Sequence, residues 1–218
     1  MASLPVLVDA LAAADGRERG VIDHMAREIR EAGLIQTTKR GRGSAEMTSL
    51  DAAHLILGVY GSDGRGTAAS AAAQFGPLAT FWMPILDAFP RDVVAIQQQP
   101  HLAAAVAAVI ESGAGLATQT PRVQGTLPVL GPLYPATTDG LELEGWPEGT
   151  AVLLRLHRPS VEAFIVMAWP GRDHVEEHTM MFAPGGPATD GIKSIAAFEV
   201  HTMVHGRVFQ ALHRALFS

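Results

Sequence analysis

The sequence predicts an α+β protein in three consecutive parts, and three observations predict it. Apolar residues recur at helical spacing in three segments between residue 4 and residue 60. An alanine-rich stretch broken by Gly and Pro then runs to about residue 117. β-branched runs bounded by Pro and Gly follow, closed by an amphipathic helix. These parts read as an N-terminal winged-helix-like domain over residues 1–66, a helical connector over 67–117, and a C-terminal antiparallel β-sheet capped by a terminal α-helix over 118–218.

Ser3 stands where an N-cap would, ahead of Leu4, Leu7, Val8 and Leu11, so a first helix is expected over Leu4 to Ala14, ended by Asp15-Gly16. A second helix is expected from about Glu18 to Ala32. Its apolar stripe is Ile22, Met25, Ile29 and Ala32, Gly33 is its C-terminal stop, and Asp23, Arg27 and Arg30 lie on a solvent-facing stripe. The β-prone Leu34 to Thr38 runs into a basic, glycine-punctuated tip, Lys39-Arg40-Gly41-Arg42-Gly43, and Ala45-Glu46-Met47 returns from it, which reads as a hairpin or wing. Thr48-Ser49-Leu50-Asp51 has the capping-box pattern, in which hydroxyl and carboxylate satisfy free amide donors, so a third helix is expected through Tyr60.

Residues 67–117 predict two or three short helices, His101 to Glu111 the clearest. Strands are expected at Val123 to Leu130, Thr150 to His157, Val161 to Trp169 and His174 to Phe182, with Arg158-Pro159-Ser160 as a tight connection. The final helix is expected from Thr202 to Phe217, with Val204, Val208, Ala211, Leu212 and Ala215 as its apolar face.

Composition narrows the function classes. An apolar fraction of 48% fits a chain that folds around a core, and 16 basic against 22 acidic side chains give a field that repels polyanions, so any nucleic-acid contact must be local. With no cysteine there is no disulfide, thiolate metal site or Cys nucleophile. The first residues carry no basic segment of the secretory type, and the charge-free run from Gly66 to Leu86 is broken by Ser70, Gln74, Gly76, Pro77 and Pro84. A cytoplasmic chain without a membrane span is therefore expected.

Helix, turn, helix, wing, helix is a DNA-binding order, because the second helix fits a major groove while the wing reaches the adjacent backbone. Residues 17–57, from RERGVIDHMAREIREAGLI to QTTKRGRGSAEMTSLDAAHLIL, resemble bacterial winged-helix regulators and, more loosely, small proteins of prophages and gene-transfer-agent-like elements. The resemblance implies a transcriptional regulator of phage or mobile-element type. Residues 18–32 would read double-stranded DNA through His24, Arg27 and Arg30, and the wing over 36–46 would contact phosphates through Thr37, Thr38, Lys39, Arg40 and Arg42. Residues 1–66 hold eight basic and nine acidic side chains, but the basic tip stands in an interval without acid between Glu31 and Glu46. The alternative is a phage-type structural or packaging adaptor that uses the same module for contacts with a phage or regulatory protein. A homodimer is expected, since DNA readers commonly pair on palindromic sites.

Other chemistry reads more weakly. His174-Val175-Glu176-Glu177-His178 matches an inverted zinc-peptidase pattern, but in a strand positions four apart are about 13 Å distant, too far for one ion. His201, His205 and His213 read as the polar side of the last helix. The glycine loops at 61–66 and 112–115 lack phosphate-loop endings, and Trp82, Trp146, Trp169, Phe81 and Phe164 read as core before they read as a pocket. Neither enzyme activity nor a cofactor or metal is expected.

Overall fold

A computed structural model describes residues 2–37, 45–62, 67–82, 91–113, 151–158, 160–170, 175–184 and 200–218. The chain opens with α1 (Leu4–Asp15), α2 (Arg19–Glu31), α3 (Ser49–Gly61) and α4 (Ala68–Phe75). Next come β1 (Ala79–Trp82), α5 (Arg91–Gln97) and α6 (Leu102–Glu111). After them lie β2 (Ala151–Arg158), β3 (Glu162–Pro170), β4 (Val175–Ala183), β5 (Val200–His205) and α7 (Gly206–Phe217). The architecture is α+β: N-terminal helices, a five-stranded antiparallel sheet in the order β1-β4-β3-β2-β5, and a terminal helix.

The three N-terminal helices follow their apolar spacing. Leu7, Val8 and Leu11 bury one face of α1; on α2 Ile22 and Ile29 are buried as expected, but the third buried residue is Ala26, while Met25 is half-buried and Ala32 is exposed past the helix end. Gly16 and Gly33 take positive φ values of 83° and 78° just past the ends of α1 and α2, a conformation open to glycine because it has no Cβ. At the start of α3 the capping box forms in full: Thr48 Oγ1 accepts from the Asp51 amide at 3.2 Å, and Asp51 Oδ2 accepts from the Thr48 amide at 2.8 Å.

In the sheet, residues alternate between faces as the strand pleat requires. Val152, Leu154, Leu156, Ala163, Ile165, Met167, Met180, Phe182 and Val204 are buried on one face. They belong to the same hydrophobic cluster as Leu55, Phe75, Ile96, Val106 and Leu212 of the helices. Helix α7 packs on α1, α6, β2 and β5, so the last element of the chain closes against the first.

Three expectations change. The residues described on either side of the basic tip, 34–37 and 45–48, form no strand. Their backbone is engaged elsewhere, with Met47 donating to the carbonyl of Ala2 at 2.9 Å and Gln36 donating to Asp51 at 2.9 Å. The connector contains a strand as well as helices: β1 pairs with β4, aligning Ala79 with Ala183 and Thr80 with Phe182. The final helix starts at Gly206 and not at Thr202, because Val200–His205 pairs with β2, Val204 facing Leu154 and Met203 facing Arg155. The strand expected over Val123 to Leu130, the wing tip 38–44 and Trp146 lie outside the described residues.

Candidate functional site

The residues proposed to read DNA are only partly brought together. His24 is 75% exposed, with Nε2 3.5 Å from Glu28 Oε1. Arg27 is 61% exposed, and its guanidinium lies 2.5 Å from Asp23 one helical turn back. Arg30 is half-buried and forms no ion pair among the described residues, while Thr37 is exposed beyond the end of α2. Thr38, Lys39, Arg40 and Arg42 lie outside the described residues.

Carboxylates hold the neighbouring cations too. Arg19 pairs with Asp9, and Arg17 pairs with Asp15. Arg17 also donates to the Val59 carbonyl and lies over the Tyr60 ring, 4.8 Å from its centroid. Tyr60 in turn donates to Asp15 at 2.8 Å, and burial, then this hydrogen bond, raises its phenol well above the usual range. Glu28 also serves the fold, since its Oε2 accepts the amide of Ala68 at 2.9 Å and so places a negative charge at the N-terminus of α4. The outer face of α2 therefore presents mostly compensated charge.

A different site emerges between the start of α3, the body of α6 and the end of α7. A cleft of about 550 Å³ is lined by Met47, Thr48, Ser49 and Leu50, by Ala104, Ala107 and Ala108, and by Leu216 and Phe217, with Glu46, Gln99 and Glu111 supplying further polar groups. Ala104, Ala107, Ala108 and Glu111 share one face of α6 because they are spaced three, four and seven residues apart. Leu50 and Phe217, at 43% and 57% exposure, are two of the large apolar side chains that the described structure leaves in solvent.

Specific contacts fix the walls of this cleft. Asp51, which is buried, caps α3 and so sets the direction of Thr48, Ser49 and Leu50. On α7, His213 Nδ1 donates to the Ile110 carbonyl of α6 at 2.8 Å, satisfying an acceptor near the α6 C-terminus, and its ring lies 4.9 Å from that of Phe217. The side-chain carboxylates of Glu46 and Glu111 make no ion pair or hydrogen bond among the described residues.

His174 lies outside the described residues, and the other histidines stand in separate settings. Among the described residues no group of three or more His, Cys, Asp or Glu is placed to hold an ion. His178 lies on strand β4 and faces the core, where Gln97 Nε2 donates to its Nε2 at 2.9 Å, and burial lowers its pKa to about 4. His205 ends β5 and is exposed, so the residues at 201 and 205 occupy a strand and not one face of a helix. Phe164 is half-buried beside His157, with ring centroids 4.7 Å apart.

Sequence reasoning missed the cleft. The signal it could have used is Leu50, an apolar residue at the second position of a capped helix, together with the near-terminal Phe217 that follows the periodic apolar face of α7. No family model, curated protein or solved structure matches this chain. Among the described residues no helix is long and apolar enough to cross a membrane.

Proposed function

We propose that this chain is a docking adaptor that holds part of a partner protein in the cleft formed by α3, α6 and α7. The observation that carries this reading is the pair Leu50 and Phe217, two large apolar side chains left in solvent in a cleft they share with three alanines of α6. Exposed apolar side chains gathered in one concavity cost free energy in water and return it when a partner covers them. Scattered single apolar residues need no such account, but these two belong to one cleft with Leu216 and Met47 beside them.

A second reading, contact with double-stranded DNA, is favoured by Lys39, Arg40 and Arg42 in the interval without acid between Glu31 and Glu46. Against it stands the pairing of Arg17, just before α2, and of Arg19 and Arg27 on it with carboxylates, which leaves this face few unpaired cations to offer a phosphate backbone.

One set of preparations tests both readings. Panning the purified chain against a random peptide library should enrich sequences whose binding is lost with Phe217→Ala and with Leu50→Ala. Enrichment indifferent to both substitutions would remove the cleft from the account. In a mobility-shift titration with duplex DNA, the adaptor leaves the DNA unshifted at about 0.15 M salt. The second reading instead requires a shift whose salt slope falls by roughly two to three phosphate equivalents in Lys39→Ala/Arg40→Ala/Arg42→Ala.

A further inference from the structure

We infer that the occupant of the cleft is a basic amphipathic helix, a segment with apolar residues one helical turn apart and Lys or Arg beside them. This deepens the adaptor reading and rests on it. Two properties of the cleft, its surface and its charge, select this occupant.

The first is the kind of surface presented. Ala104, Ala107 and Ala108 give α6 short side chains along one face, so a second helix backbone can approach closely. Leu50 and Phe217 supply bulky side chains to the same cleft. A helix laid along a hydrophobic groove inserts its own large residues between such features, reading them at three- and four-residue spacing.

The second is charge. Glu46 and Glu111 both line the cleft, both are exposed, and neither has an ion pair among the described residues. Glu18 and Glu31 are likewise exposed without an ion pair among the described residues but lie away from the cleft, whereas Glu28, Asp9, Asp15 and Asp23 are each matched by a cation or a backbone amide. No Lys or Arg lines the cleft among the described residues. An occupant with apolar anchors and cationic neighbours therefore gains in both respects, whereas an acidic segment of the same apolar pattern meets like charge on entry.

The test compares two synthetic helical peptides with the same leucine pattern, one carrying lysine and the other glutamate at the remaining positions, by fluorescence anisotropy against the full chain. The lysine peptide should bind at least about tenfold more tightly than the glutamate peptide at low salt, and the gap should narrow as salt rises. Glu46→Gln/Glu111→Gln should weaken the lysine peptide about three- to tenfold and leave the glutamate peptide unchanged or improved. Circular dichroism and a urea midpoint establish that each variant is folded.

Equal affinity for the two peptides, both lost with Phe217→Ala, would overturn the charge inference and leave the adaptor reading standing. Binding indifferent to Phe217→Ala would overturn both. Binding of neither peptide, or a second copy of the chain covering the cleft with mass doubling that Phe217→Ala reverses, would overturn the basic-helix inference alone.

Discussion

Asp51 holds Gln36: its Oδ1 accepts the Gln36 amide at 2.9 Å, while its Oδ2 accepts both the amide and the hydroxyl of Thr48, each at 2.8 Å. One buried carboxylate thus ties the chain leaving α2 to the chain entering α3. A sequence pattern that reads as a helix cap is also the clamp on both ends of residues 36–48.

Replacing Asp51 with Ala should therefore cost more than losing the cap alone. The variant loses the acceptors for three donors in a part-buried place, an expected destabilisation of about 2–4 kcal/mol, whereas Thr48→Ala should cost about 1 kcal/mol. Urea unfolding midpoints compare the two. Equal losses would mean that the Gln36 contact contributes nothing to stability.

Gly58 and Gly20 should respond to alanine in opposite directions. A Cβ at Gly58 would stand 2.4 Å from Ile29 Cδ1 and 2.8 Å from the Ala68 carbonyl oxygen, so α2 and α4 would both have to move away from α3. The expected loss is about 1–3 kcal/mol, larger than the helix-propensity gain. At Gly20 nothing lies within 4 Å, and alanine should stabilise by up to about 0.5–1 kcal/mol. Thermal melts of the two variants should move to opposite sides of the unsubstituted chain.

His178 should make stability depend on pH in mildly acidic solution. Burial lowers its folded pKa from 6.5 to about 4, so between these values the unfolded chain takes up a proton that the folded chain refuses. Its contribution is complete above about pH 6.5 and is lost as pH falls toward 4, a total of about 3 kcal/mol at about 1.4 kcal/mol per pH unit. Burial lowers the pKa of His54 as well, so the unsubstituted chain sums two such effects. His178→Gln should flatten the slope between about pH 5 and 6.5 by roughly one proton while keeping an amide able to meet Gln97. An unchanged slope would mean that the ring is protonated as readily in the fold as out of it.

Much of the fold was legible because it rests on local patterns. Ile22 and Ile29 repeat with the helix, although Ala26 fills the place expected of Met25, Thr48 and Asp51 form the cap their spacing announces, and β2 to β4 lie within a residue of the expected strands. What escaped depends on partners far along the chain. Strand β1 is four residues long inside an apolar stretch, and its pairing with Met181, Phe182 and Ala183 of β4 is visible only once the sheet exists. Val200, Thr202 and Val204 alternate as a strand should, but Val204 also fits the helical spacing of Val208, Ala211 and Leu212, and the longer pattern masked the shorter. The cleft joins residues 46–50, 99–111 and 216–217, and Ala104 or Ala108 looks in sequence like any other core alanine.

Gly113 should prove as important to the cleft as the residues that line it. A Cβ there would stand 2.3 Å from Cγ, 2.6 Å from Nδ1 and 2.7 Å from Cβ of His213, so the clash involves the base of the ring as well as its edge. Gly113→Ala must push α7 away from the C-terminus of α6, break the hydrogen bond from His213 to Ile110 and carry Phe217, one turn further along α7, out of place. A loss of about 1–3 kcal/mol is expected from the clash and the orphaned carbonyl. His213→Ala, which removes the hydrogen bond without overcrowding, should cost about 1 kcal/mol. Both should weaken peptide binding at the cleft, Gly113→Ala more than His213→Ala, because the first displaces the wall and the second only loosens it. Peptide affinity unchanged in Gly113→Ala, at a concentration of urea where the variant is still folded, would mean that α7 is not positioned through His213.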